Sequence, residues 1–342
     1  MSQETSEWLN SRTLVGFRET RGEAWHYNRA LQIANGWEDN HYNGAIPVSA
    51  VMGRLFDFHA AEAAVINGNT LDVVEGSKLV YHSRTGQSFG IFSGTPNGDD
   101  GYKVHQFPDW LLDKVATLVD ASAGTLAIGS AIMLANDSIC AIQIERPDNV
   151  LIGGDALRPF ICATSSHSGK YATSYKAGTT RVVCDNTLAA FHSEGPKAFK
   201  VKHTRNSADR MAEARAFLEI SFAQQDAELI EIDRLMNTEC VDAIFAKLVA
   251  QMVPMPTEEG RSKTMAATKV AKLNDLWRHD MRVAPYRGTA WGAVQAFNTY
   301  DAHHAIVRNA DRGERNYLNF LSGKTGEADN LVVATIRELV AA

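Results

Sequence analysis

The chain has 342 residues, 45% of them apolar and 22% charged, with a formal charge of −6. This is the balance of an ordinary globular protein with ample core, and it excludes a protein that is basic throughout. No stretch approaches the roughly 18 uncharged apolar residues of a membrane span. The opening "MSQETSEWLN" has neither the basic start nor the apolar core of a signal peptide, so a cytoplasmic location is expected.

Residues 1–75 read as mostly helical, with turns at "ANGWEDN" and "YNGAIP". The run "VSAVMGRLFDFHAAEAAV" sets Val51, Leu55, Phe58 and Ala61 or Glu62 at helical spacing. In "KLVYHSRTGQSFGIFS" two apolar runs flank Thr85–Gly86, the signature of a hairpin turn. "FPDWLLDKV" then opens a helix, with Pro108 in the first turn, where a missing N–H costs nothing.

The texture next turns to strand. "GTLAIGSAIMLAN" and "SICAIQIERP" form a hairpin around "NDS", and "LRPFICATSS" with "KYATSYKAG" forms another around "HSG". In "TTRVVCDNTLAAFH" a strand is expected to end at Val182–Val183 and a helix to begin, capped by Asp185 or Asn186. From about Arg205 to Val249 the pattern is helical and acidic. "PMPTEEGRS" is the best linker, and the last stretch is helical with a break at "APYRGT". In "RGTAWGAVQAFNTY", Trp291, Val294 and Phe297 make an apolar helix face, with Gly288 and Gly292 allowing close backbone approach.

Strands in the middle with helices gathered after them predict an α+β fold rather than an alternating α/β one. The expected parts are a mostly helical 1–75, a β-rich core with a helix over 76–204, and a helical 205–342 with a linker at 254–263. The alternative is one continuous domain.

Charge is unevenly spread. Lys170 to Arg205 holds seven Lys or Arg against two acids, a local +5 that leaves −11 for the rest. No lysine precedes Lys78, and ten acids face five arginines there. A localised anion-binding surface on an acidic body has this distribution, and so does an ordinary solvated face.

Most specific chemistries lack their residues. "SGKTG" ends like a phosphate loop, but Leu318 stands where the first glycine belongs and no apolar strand precedes it. His303 and His304 are adjacent, no paired Cys/His spacing occurs, and no metal or nucleotide cofactor is expected. Cys140, Cys162, Cys184 and Cys240 form no CxxC pair and read as free buried thiols. Cys184, near His167 and His192 and beside Asp185, is the one candidate nucleophile. Its flank "RVVC" favours a structural thiol at a packed strand end, so no catalytic residue is assigned.

Nucleic-acid binding keeps the best residue pattern. "SSHSGKYATSYKAGTTR" offers Lys170, Tyr175, Lys176 and Arg181, and "KAFKVKHTR" adds Phe199, Lys200, Lys202, His203 and Arg205. Cations interleaved with aromatics suit a single strand, whose phosphates meet Lys and Arg while its bases stack on rings. The same lysines would also blunt an edge strand.

Several long stretches carry a resemblance: "GEAWHYN", "IPVSAVMGRLFDF", "GYKVHQFPDWLL", "ATSSHSGKYATSYKAGTTRVVCDNTL", "RVAPYRGTAWGAVQAFNTYDAHH" and "RNADRGERN". Over nearly its whole length the chain resembles the phage/plasmid-like proteins, a family of unassigned function abundant in actinobacterial phages and plasmids. The family's common Asp-Gly-Ser turn reads Ser168-Gly169-Lys170 here, so this chain has no acid there. The resemblance implies work on DNA replication, recombination or host takeover. The order of hairpin, strands, turn and helix is also similar to single-strand annealing recombinases such as lambda Red beta and Erf-like proteins, which form rings or filaments around a basic groove.

The resulting expectation is a single-stranded DNA-binding protein that promotes annealing as a homo-oligomer, without cofactor or membrane. The alternative is an interaction protein that binds a host protein as a counter-defence or regulatory factor.

Overall fold

The computed structural model describes residues 3–22, 29–181, 187–189, 207–307 and 312–341. A short helix, α1 (Gln3–Arg12), precedes a three-residue strand, β1 (Thr13–Val15), and three more, α2 (Arg18–Arg21), α3 (Arg29–Asn35) and α4 (Val48–Leu55), follow it along the chain. A three-stranded antiparallel sheet follows: β2 (Ala60–Ile66), β3 (Val73–His82) and β4 (Ser88–Ser93). The expected single helix over residues 48–65 is therefore a helix and a strand. α4 ends at Leu55, and Ala60–Ala64 pairs with Lys78–His82 instead. The alanines of "HAAEAAV" fit either state, and pairing with β3 decides between them. Gly86 takes φ +72° in the β3–β4 turn, as the hairpin reading requires.

A π-helical turn from Pro108 leads into α5 (Asp113–Ala121) and then the main sheet. Its strands are β5 (Ala127–Leu134), β6 (Ile139–Glu145), β7 (Val150–Ile152), β8 (Asp155–Ser166), β9 (Ser174–Arg181) and β10 (Thr187–Ala189). They lie in the order β1-β5-β6-β8-β9-β10, with β7 beside β8. Every residue of β6 is buried, as befits a central strand covered on both faces. Gly129 sits at a register shift between β5 and β6, and a Cβ there would collide with the Glu145 carboxyl. The β5–β6 turn runs through Ala135, Asn136 and Asp137, all left-handed, and Asp137 is held by Arg12 at 3.0 Å. Where a helix was expected after Asp185, Thr187–Ala189 is a strand paired antiparallel with Gly178–Thr180. The ladder offered by β9 outweighs the helical spacing of that short run.

The remaining elements are helical: α6 (Ser207–Met236), α7 (Asp242–Met252), α8 (Arg261–His279), α9 (Ala290–Thr299), α10 (Arg312–Ser322) and α11 (Lys324–Ala341). The fold is α+β. The chain divides into two units, each discontinuous in sequence. One is Met1–Asp148, Phe160–Lys176 and Pro196–Ser221; the other is Asn149–Pro159, Ala177–Gly195 and Phe222–Ala342.

The second unit has its own core, in which all ten residues of α9 are buried. Phe245 stacks on Trp277 at 4.4 Å there, and the Trp277 indole N–H donates to Asp242 Oδ1 at 2.8 Å. A Cβ at Gly292 would run into the Tyr286 carbonyl, so the close approach expected there is a packing requirement, whereas a Cβ at Gly288 would meet nothing within 4 Å and its φ of +89° is what favours glycine. No helix among the described residues is long and apolar enough to cross a membrane.

Candidate functional site

Within the first unit, three separated segments enclose a cavity of about 540 Å³. Gly101, Tyr102, Lys103 and His105 come from the segment after β4. Trp110 comes from the turn into α5 and Lys114 from the first turn of α5, while Ser165 and Ser166 end β8, Gly169, Tyr171, Ala172 and Thr173 form the β8–β9 connection, and Tyr175 lies in β9. The volume lies inside the roughly 300–1,000 Å³ typical of small-molecule sites.

The glycines explain how the segments come so close. Gly101 takes φ +65°, and a Cβ on it would strike the Ser93 carbonyl. Gly169 takes φ +70°, and its Cβ would lie 2.9 Å from the Phe92 ring. Phe92 in turn stacks on Tyr102 at 4.1 Å, so the β8–β9 connection and the Tyr102 segment lean on one ring. The Tyr102 hydroxyl donates to the Ser166 carbonyl at 3.3 Å and closes the same seam.

One wall is aromatic. His105 lies flat on Trp110, with centroids 3.7 Å apart and planes 1° from parallel. Burial holds the His105 pKa below its ordinary value, so the ring is neutral near pH 7. A hydroxyl chain runs from it: His105 Nδ1 lies 3.3 Å from Thr173 Oγ1, which lies 2.8 Å from Ser165 Oγ. Lys114 is only 6% exposed, and its ammonium donates to Asp113 Oδ2 at 2.8 Å. Lys103 is exposed and donates to Asp99 at 2.9 Å.

Behind this wall is an aromatic and histidine core. His167 stacks on Phe107 at 3.8 Å and on Phe89 at 5.4 Å, and His82 stacks on Phe58 at 3.9 Å. Burial, with lesser repulsion from His82 and His105, pushes the His167 pKa down to about 3. His167 is a neutral core residue.

The residues expected to hold DNA divide three ways. Lys170 is exposed on the β8–β9 connection, and Lys176 is half-buried in β9. Arg181 ends β9. Tyr175, expected to offer its ring for stacking, is 1% exposed, with that ring edge-on to Phe217 at 5.8 Å. Its hydroxyl is buried and has no hydrogen-bond partner among the described residues, and burial raises its pKa above the ordinary value. Phe199, Lys200, Lys202, His203 and Arg205 lie outside the described residues, as do Cys184 and His192. Cys140, Cys162 and Cys240 are buried free thiols.

The cavity residues missed by the sequence reading are Tyr102, His105, Trp110, Lys114 and Tyr171. For Tyr102, His105 and Trp110 the signal was the aromatic and basic content of "GYKVHQFPDW" ahead of a helix start; Lys114 and Tyr171 lie outside that stretch.

A model of the DUF932 family, described as a domain of unknown function, matches residues 98–320. The chain belongs to the DUF932 family. The match includes every residue lining the cavity, and begins after the β2–β3–β4 sheet has ended. No curated protein and no solved structure matches the chain.

Proposed function

We propose that this DUF932 chain binds single-stranded DNA, in a phage or plasmid setting, and supports strand annealing without a nucleotide cofactor. The observation that carries the reading is the cavity itself. It joins aromatic faces (Trp110, Tyr102, Tyr171) to ammonium groups (Lys103, Lys114), with Lys170 exposed on the same β8–β9 connection. A single strand needs that combination, because its bases stack on rings while its phosphates seek cations. A paired duplex presents neither free base faces nor unstacked edges to such a recess. Lys170 also opens the stretch with local charge +5, a sequence-local supply of cations for phosphates.

The test is joint charge reversal, Lys170→Glu, Lys176→Glu and Lys202→Glu, read by titration of a labelled oligonucleotide. Each phosphate contact removed lowers the slope of log affinity against log salt by about 0.7. Undiminished binding by the triple variant would contradict the proposal.

The second reading, a host-protein partner, is favoured by a different observation. Ile66, Leu71 and Val73 at the β2–β3 end are 58%, 77% and 58% exposed, and Ile91 on β4 is 64% exposed. Apolar residues grouped on one small sheet are what a partner covers. Pulldown after nuclease treatment separates the readings: a retained host protein supports the second, and loss of all partners with the nucleic acid supports the first.

A further inference from the structure

The three-stranded sheet ends in two edges of different character. At the β4 edge the chain doubles back, and the Tyr102 N–H donates to the Ser93 carbonyl at 2.9 Å. β2 has β3 on one side, and its other side is open among the described residues. Gln106 shows which groups of β2 point outward. Its side-chain amide accepts from the Ala60 N–H at 3.0 Å and donates to the Ala60 carbonyl at 2.8 Å, as a neighbouring strand would. Outward and inward groups alternate along an antiparallel strand, and the register runs unbroken from Ala60 to Ala64. The N–H and C=O of Glu62 and Ala64 therefore face away from β3, where no described group bonds them.

Such an edge is a template for another strand, and chains that stay apart guard it with lysine, proline or an exposed charge. β2, with the sequence AAEAAVI, carries none of these guards. Its one charged residue, Glu62, is already consumed, with Lys78 Nζ 3.0 Å and the Asn97 backbone N 2.6 Å from Oε2. Ala64 is exposed and Ala61 and Ala63 are half-buried, so no large side chain stands in front of the edge.

This edge is complementary to itself. When two β2 strands run antiparallel about a two-fold axis at Ala63, Glu62 of each copy lies opposite Ala64 of the other. Each such pair exchanges both of its N–H···O bonds, using the groups that face outward. Ala63 then meets its own copy at a non-hydrogen-bonded position, where Cα atoms approach to about 4.5 Å and a methyl side chain fits. Gln106 already occupies Ala60, which closes that end of the seam. We propose that the open edge of β2 is a self-association site, at which a second copy of this chain adds its own β2 in this register. The site lies on residues 60–66, none of which lines the cavity, and it does not depend on strand binding.

The test is sedimentation equilibrium of the full chain over a range of micromolar concentrations. Wild type is expected to rise to twice the chain mass of 37.5 kDa. Ala64→Pro removes an N–H that points away from β3, and proline is tolerated on an edge strand. Ala63→Lys sets two ammonium groups together at the axis. Both variants are expected to sediment as single chains with the circular dichroism of wild type. Register is read by crosslinking in a chain carrying Cys184→Ala. Ala63→Cys is expected to give a covalent dimer under mild oxidation, because Cα atoms about 4.5 Å apart suit a disulfide. Ala61→Cys, which lies opposite Val65 in this register, is expected to stay uncrosslinked. A wild type that keeps the mass of one chain throughout overturns the proposal, and so does a dimer that survives both Ala64→Pro and Ala63→Lys. Crosslinking at Ala61→Cys as efficient as at Ala63→Cys overturns the register.

Discussion

His105 and Trp110 stack with planes 1° apart at 3.7 Å, and the pair forms one wall of the cavity. Burial keeps the imidazole neutral near pH 7, so the stack presents a flat π surface without a fixed charge. A base laid on that wall would extend the stack. Trp110→Ala is therefore expected to weaken single-strand binding by about 1–3 kcal/mol, the usual worth of one base–aromatic contact. Unchanged affinity in an anisotropy titration would remove the wall from the binding surface.

Acid sensitivity follows from His167. Its pKa is about 3 in the fold against an ordinary 6.5, so the unfolded chain takes up the proton first. The stability contributed by the neutral ring is complete above about pH 6.5 and declines as pH falls from there towards 3. By pH 5 the loss amounts to about 2 kcal/mol. His167→Phe keeps an aromatic ring against Phe107 and removes the titration. Urea unfolding at pH 7 and pH 5 should show the variant losing about 2 kcal/mol less than wild type. An equal loss would place the acid sensitivity elsewhere.

Lys78 and Glu62 make a buried ion pair beneath the segment that leads to Tyr102. The Lys78 side chain is 1% exposed, and its Nζ lies 3.1 and 3.0 Å from the two Glu62 oxygens. Glu62 also accepts the Asn97 N–H at 2.6 Å, which ties the pair to the loop after β4. Lys78→Met leaves a carboxylate without its cation and should cost about 3–5 kcal/mol in urea unfolding. Adding Glu62→Gln should recover part of that loss, since the uncompensated charge is gone. A single variant as stable as wild type would show that the pair is dispensable.

Two glycines predict opposite signs for one substitution. Gly292→Ala puts a methyl group into the Tyr286 carbonyl and 3.3 Å from the Trp277 ring, and should destabilise by about 1–3 kcal/mol or more. Gly53→Ala, at an exposed position of α4 with nothing within 4 Å, should stabilise by about 0.5–1 kcal/mol. Thermal unfolding of both variants checks the pair, and the same sign for both would contradict the packing described.

The contrast between these glycines also marks what a sequence exposes. Gly292 stands inside an apolar helix pattern, and the hairpins at Thr85–Gly86 and Asn136–Ser138 carry their own turn chemistry, so local residues suffice to read them. The strand at Ala60–Ile66 was hidden, because its alanines suit a helix until β3 pairs with it. Thr187–Ala189 was hidden for the same reason, its partner lying in β9. The cavity was less legible still. Its walls come from residues 101–114 and 165–175, and no local pattern announces that Gly169 and Phe92 will bring them together. Tyr175 shows the limit most clearly. Its place among cations suggested an exposed ring, whereas packing on Phe217 buries the ring and leaves the hydroxyl without a hydrogen-bond partner among the described residues.

The central claim is that this protein holds single-stranded DNA, and anisotropy titration of a labelled single strand beside its matching duplex, at low and high salt, tests it most directly. The account predicts tighter binding of the single strand, with affinity falling steeply as salt rises, because phosphates exchange counterions for lysines while unpaired bases reach the aromatic wall. Absence of binding at low salt, or equal binding of strand and duplex, would contradict it.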